Sequence, residues 1–360
     1  MDIYHEDVVW KLTEDVLKYN LKIRSYSFFQ SLYHKYNWVI PRPRKSFNKK
    51  SEKHSLRDPK PRRGILIIID GTPHDWFQNG LKQSLHLAID DATGEFLAGW
   101  FMETECLVGY AHLLYLILTK HGIPVSFYSD QYAVFKSPTD KNLTTFGRIC
   151  HELGIEMIFA SSPEARGKVE KGNDTIQQRI LNDIKRFNIQ SVDELNVWFN
   201  EKYCDYLNKK FSYEPKEDIS EFIPLTDDFI KNELDGLFVA KIQRKILNGN
   251  SISINNNYYV PVDNENNPVP FYKGSSVEAW ENIFDNSIKI FKNGVLYNTK
   301  KIEGHYKNQI LQQLKVNNKK ELNAALDAVY SSNEERKKVV QAILKLQRRW
   351  LKRLLKTEIC

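Results

Sequence analysis

Gly64-Ile65-Leu66-Ile67-Ile68-Ile69-Asp70 is a near-continuous apolar, largely β-branched run that closes on a carboxylate. Such a run reads as a strand covered on both faces, in the middle of a sheet flanked by helices. Downstream, Ser84-Leu85-His86-Leu87-Ala88-Ile89-Asp90 alternates like a strand, Asp91-Ala92-Thr93-Gly94 is a turn, and Glu95-Phe96-Leu97-Ala98-Gly99-Trp100-Phe101 returns as a third strand. A Leu-rich helix is predicted over 105–121, broken by Gly122-Ile123-Pro124. A second apolar run, Val125-Ser126-Phe127-Tyr128-Ser129, then closes on Asp130. A helix over about 142–153 ends at Gly154, Ile155–Phe159 is a fifth strand, and 168–187 is a long helix. The order βββ-α-β-α-β-α is that of the ribonuclease H-like fold, so the predicted class is α/β with a mixed-sheet core.

Two core strands that each deliver an aspartate, with Glu170 where the long helix begins, make the acidic set Asp70, Asp130 and Glu170. Carboxylates are the hard oxygen ligands that Mg²⁺ and Mn²⁺ prefer. Two such ions, about 3.5–4 Å apart, can clamp the attacking and leaving oxygens of a phosphodiester displacement. Glu164 is a rival for the third carboxylate, but it lies in a loop beside Pro163, whereas a metal site needs ligands on rigid elements. Asp90 and Asp91 are expected at the strand-turn-strand corner. His74, Asp75 and Trp76 read equally as a turn packed on the core or as residues supporting the site or touching DNA.

The net charge of +7 conceals an asymmetry. Residues 1–63 balance at +8, residues 306–360 at +8, and the middle at −9. Basic flanks around an acidic centre suggest flanks that meet a polyanion and a centre that holds cations; solvated charged faces would look alike. No apolar stretch approaches the ~18–20 residues that span a membrane. The N-terminus has no signal-like apolar region, and the four cysteines are not at metal-ligand spacing, so a cytoplasmic protein is expected.

In residues 6–37, apolar positions recur at helical spacing, Asn20-Leu21-Lys22 interrupts, and Ser25–Tyr33 reads as a second helix. This is either a helix-turn-helix or a plain helical hairpin. Residues 38–63 are Pro-rich and basic, with Arg42, Arg44, Lys45, Arg62 and Arg63 among their cations. They are expected as an extended linker that neutralises phosphates or serves as a solvated tether. Near the third carboxylate, Lys168 and Lys171 could position phosphates. Asn173 and Gln177, at i+3 and i+7 from Glu170, share its helix face and could touch DNA. Beyond about 237, short strands with Asn/Gly turns predict a small β-barrel or sandwich, and 306–360 return to a basic amphipathic helix.

Four segments taken together, Asp70–Phe77, Ile89–Gly94, Phe127–Phe135 and Ser162–Lys171, resemble the DDE transposases of bacterial insertion sequences, with the nearest likeness to the ISNCY type. These are relatives of retroviral integrases and phage Mu transposase. The resemblance covers roughly 7–300, most firmly 64–187. It implies a ribonuclease H-like core, two Mg²⁺ or Mn²⁺ ions, and cleavage and strand transfer of double-stranded DNA at element ends and target. It also implies a homo-oligomer assembled on DNA, with no membrane partner, in the bacterial cytoplasm and nucleoid-associated. Carried over position by position, the acidic triad falls on Asp70, Asp130 and Glu170, with 39 residues between the last two. The domains expected are 1–37 helix-turn-helix, 38–63 basic linker, 64–215 catalytic, 216–305 a small β-rich domain and 306–360 a basic amphipathic helical tail. The N-terminal part is short for the family. A truncated, non-catalytic DNA-binding regulator from a decayed element, or a nuclease on the same fold, are therefore the alternatives.

Overall fold

A computed structural model describes residues 25–37, 58–135, 143–159 and 167–302. The chain divides into two compact units between Val239 and Ala240. The first holds helix α1 (Tyr26–Lys35) and a five-stranded sheet made by β1 (Leu66–His74), β2 (Gln83–Asp90), β3 (Phe96–Met102), β4 (Ser126–Ser129) and β5 (Glu156–Phe159). Strand order is β3-β2-β1-β4-β5; the first three are antiparallel, while β1, β4 and β5 run parallel. Between the strands come α2 (Leu107–Lys120) and α3 (Thr145–Glu152). After them come α4 (Gly167–Arg186), α5 (Val192–Trp198), a π-helical turn (Phe199–Tyr203) and α6 (Cys204–Phe211). The mixed α/β sheet is as the sequence predicts. The expected first helix of the N-terminal pair and the C-terminal tail lie outside the described residues.

The alternation of strand side chains splits the core in two. Ile68, Leu85, Leu87 and Ile89 pack with Val169, Ile176, Ile180 and Ile184 of α4 and with Leu195, Phe199, Tyr203 and Leu207 of the helices that follow. On the other face α2 buries Tyr110, Leu113, Leu114, Ile117 and Leu118. Asp90 sits at the predicted corner, accepting from the backbone N–H of Gly64, Ala92 and Thr93.

The open edge of β3 is closed by side chains. Asn208, Asn200 and Asn196 each grip one backbone residue with both ends of the amide. Their Oδ1 atoms accept from the N–H of Phe96, Gly99 and Phe101 at 2.7, 3.1 and 2.6 Å. Their Nδ2 atoms donate to the same three carbonyls at 3.0, 2.6 and 3.0 Å. A helix rises about 1.5 Å per residue and a strand about 3.3 Å, so twelve helical residues keep pace with five strand residues. The π-helical turn falls inside this interval.

Residues 58–63 are not a free linker. Pro61 and Arg63 carbonyls accept from the N–H of Glu217 and Glu221, and Arg63 bridges Ser220 in a parallel sense. Arg62 forks between Glu217 (2.6 Å) and Glu221 (2.5 Å), and Arg63 pairs with Glu95 at 2.5 Å and lies over the Phe222 ring. The segment entering the sheet is thus strapped to the segment leaving the helices after it.

In the second unit, β7 (Ile252–Ile254), β8 (Asn257–Val262), β9 (Ser276–Asn282), β10 (Ile288–Lys292) and β11 (Val295–Ile302) join β6 (Val239–Lys245) in a six-stranded sheet, order β6-β9-β10-β11-β8-β7. Ile252, Ile254, Val277, Ala279, Ile288 and Ile290 form its core. No described helix is long and apolar enough to cross a membrane.

Candidate active site

β1 and β4 pair with Leu66, Ile67 and Ile68 opposite Ser126, Phe127 and Tyr128. Continuing that register by two residues sets Asp70 level with Asp130, one strand spacing away, about 5 Å. β4 stops at Ser129, so Asp130 stands just past its end, where Oδ1 accepts from Tyr132 N–H at 3.0 Å. Asp70 does not end its strand, as the sequence reading has it. β1 continues to His74, paired with β2 through the register His74↔Gln83. Asp70 therefore lies mid-strand, where β1 has outrun its parallel neighbour and one side of the strand opens.

Asp70 shares the face of Ile68, and α4 covers that face. Asn173 Nδ2 donates to Asp70 Oδ2 at 3.1 Å, and Gln177 Nε2 donates to Thr72 Oγ1 at 3.1 Å. α4 is thus clasped along β1 with two amides one turn apart. Glu170 is exposed in the first turn of α4, on the side of the helix that carries these amides.

The structure brings Asp70 and Asp130 together. Among the described residues, no three His, Cys, Asp or Glu side chains are grouped closely enough to hold a metal ion, so Glu170 is not drawn into one cluster with them. The donor chemistry fits a hard divalent cation nonetheless: one carboxylate lies on β1 and the other just past the end of its parallel neighbour β4. Among the described residues, the Oδ1 of Asn173, a residue 5 % exposed and bonded to Asp70, is buried without a hydrogen-bond partner.

The residues expected at DNA divide differently. Asn173 is buried against Asp70, and Gln177 is half-buried against Thr72. Lys168 is bound to the Asp91 carbonyl and pairs with its carboxylate at 3.0 Å. Arg62 and Arg63 are held by Glu217, Glu221 and Glu95. In each case a nearby internal acceptor holds the side chain that the sequence reading points outward. Lys171 is exposed on α4. Arg42, Arg44 and Lys45 lie outside the described residues.

Sequence reading missed Glu105. β3 runs parallel to β1, because both are antiparallel to β2, so its carboxyl end lies at the same edge of the sheet as that of β1. Three residues past that end, the Glu105 carboxylate lies on the Cα of Gly71: a Cβ on Gly71 would stand 2.6 and 2.7 Å from its two oxygens. Tyr110 OH donates to Glu105 Oε1 at 2.6 Å. The signal available in the sequence was a carboxylate at the third strand-helix junction, with a glycine directly after Asp70 to make room for it.

His86 anchors the same corner. It is fully buried, its Nε2 accepts from Cys106 N–H at 3.2 Å, and its Nδ1 then donates to Trp100 O at 2.9 Å. Its ring lies against Gly109, where a Cβ would overlap it. Burial above all pushes its pKa from 6.5 down to about 4. The unfolded chain takes up a proton over this range that the folded chain refuses. This stability is complete above pH 6.5 and is lost as pH falls through 4, with a full span of about 3 kcal/mol. Urea midpoints at pH 7 and pH 4.5 should therefore fall further in the parent than in His86→Gln. Equal losses in both would remove His86 from the acid response.

No family profile matches the chain. It is 31% identical over 277 residues to the transposase for insertion sequence IS1202 of Streptococcus pneumoniae, covering 75% of this chain and 57% of that protein. It is 34% identical over 196 residues to a Sinorhizobium fredii protein that carries a transposase name, covering 51% of this chain and 43% of the relative. The chain thus spans about half the length of the curated relatives it matches. Solved structures similar to it include the HTLV-2 integrase catalytic core domain in complex with magnesium, at 16% identity and TM-score 0.31, covering 38% of this chain and 85% of that one. A simian T-cell lymphotropic virus intasome chain follows at 14% identity and TM-score 0.34, covering 69% and 85%. Over the matched region the chain is a homologue of insertion-sequence transposases.

Proposed function

We propose, from this homology to insertion-sequence transposases, that the first unit is a ribonuclease H-like core of the DDE type that cuts and joins DNA at the ends of an insertion sequence. The single observation that supports the reading is the parallel register of β1 and β4, which runs toward Asp70 on one strand and Asp130 just past the other, with Asp70 clasped by the helix that bears Glu170. Asp70, Asp130 and Glu170 would hold the Mg²⁺ or Mn²⁺ ions. When bound, such ions supply Lewis-acid stabilisation of the phosphorane-like charge and activate water or a DNA 3′-hydroxyl. Asn173 orients Asp70 by its amide, and the rigidity of β1 and α4 holds the carboxylates in place.

The remaining segments follow the same reading: a helix-turn-helix over 1–37, a basic stretch within 38–63, and a β-rich segment within 216–305 that holds DNA or a neighbouring subunit. The tail over 306–360 adds cations. Lys171, with the basic flank, meets the phosphates, and the protein acts as a homo-oligomer on double-stranded DNA near the nucleoid. The test is incubation of the full chain with labelled element-end DNA and Mn²⁺, with 3′-end nicking as the expected product. A chain that binds this DNA but leaves both strands whole would overturn the catalytic reading.

A further inference from the structure

We propose that Glu105 is a positioning residue of the site at Asp70 and Asp130: held by the Tyr110 hydroxyl and seated on Gly71, it fixes the β1 backbone beside Asp70 and adds a third negative charge behind the two aspartates. The inference rests on the reading above of that site as a cation centre.

Three observations meet at this point. Gly71 follows Asp70 directly and faces the opposite side of the sheet, so its missing side chain is the space that the Glu105 carboxylate fills. Tyr110 donates to Glu105 from the first turn of α2, and Tyr132 OH reaches the Glu105 carbonyl at 3.4 Å. Tyr132 is two residues past Asp130, whose carboxylate accepts from its N–H, so one chain of contacts runs from Glu105 to Asp130. The Tyr110 hydroxyl is held protonated, first by burial and then by Glu105, with Asp70 and Asp130 adding to the same effect. It therefore remains a donor to Glu105, and it lies within the field of all three carboxylates. Outer groups that orient or polarise ligands typically change cation affinity by about 10–100-fold when removed.

Glutamine in place of Glu105 keeps the shape and the acceptor for Tyr110 but removes the charge. Mn²⁺ titration calorimetry of the full chain, without DNA, should show Glu105→Gln binding Mn²⁺ about 10-fold more weakly, with an unchanged thermal midpoint. Tyr110→Phe should weaken binding in the same direction by less. Asp130→Asn serves as the reference for the site itself. Parent-like Mn²⁺ affinity in Glu105→Gln, alongside lost binding in Asp130→Asn, overturns the role of Glu105 alone. A parent that takes up no Mn²⁺, or an Asp130→Asn variant that binds as the parent does, overturns the reading of the site and this inference with it.

Discussion

Asp130→Asn should abolish strand cleavage while leaving DNA binding intact or tighter. A carboxylate ligand contributes several kcal/mol of charge stabilisation through the ion it holds, so its loss slows the chemical step by roughly 10³-fold. The fold has little reason to respond. Asp130 is half-buried just past β4, and the amide oxygen of asparagine can accept from Tyr132 N–H as the carboxylate does. Removing a negative charge cannot weaken attraction to phosphate. Cleavage of labelled element-end DNA and a mobility shift on the same DNA are measured in parallel with a thermal melt. A variant that nicks at the parent rate would remove Asp130 from the chemistry. A variant that melts early would show that Asp130 is instead a structural cap on β4.

The second large effect concerns stability. Asn200→Ala should lower the melting midpoint by roughly 10 °C. Asn200 is buried, and its amide satisfies both the N–H and the C=O of Gly99 while also donating to Asn196 O at 2.9 Å. Alanine leaves two buried backbone groups of an edge strand without partners, each costing about 1–3 kcal/mol. For a unit of this size each kcal/mol shifts the midpoint by about 2–4 °C. Asn200→Asp is no rescue: it keeps an acceptor for Gly99 N–H but sets an anionic oxygen against Gly99 O in a buried place. Asn208→Ala, at a half-buried site, should cost less. Circular dichroism melts of the three variants test the order, and a midpoint within 2 °C of the parent for Asn200→Ala would dismiss the amide grip as incidental.

The run Gly64–Asp70 made the central strand legible because only a strand covered on both faces is apolar without alternation. The two aspartates followed from the two such runs. What the sequence hid was registry. Nothing in the run shows that β1 continues with β2 through Thr72 to His74, so Asp70 is expected at an end it does not occupy. Nor does helical periodicity reveal a π-helical turn, although that turn lies within the span from Asn196 to Asn208. Side-chain partners were hidden for a related reason. Arg62, Arg63 and Lys168 read as free cations because Glu217, Glu221, Glu95 and Asp91 are remote in sequence or separated by a turn.

The strap between residues 58–63 and 217–221 has a mechanical consequence. Both ways out of the first sheet, toward either end of the chain, meet at one corner near the start of β1. Tension on the N-terminal flank meets the Lys60 N–H bond to Asp91, the Arg63–Ser220 bridge and the fork of Arg62 before it reaches β1, and the strap is loaded in shear. Asp70 lies seven residues further along the chain, about 20 Å of extended strand away. The corner works as strain relief: the N-terminal flank can be tugged while the carboxylates further along the sheet stay still.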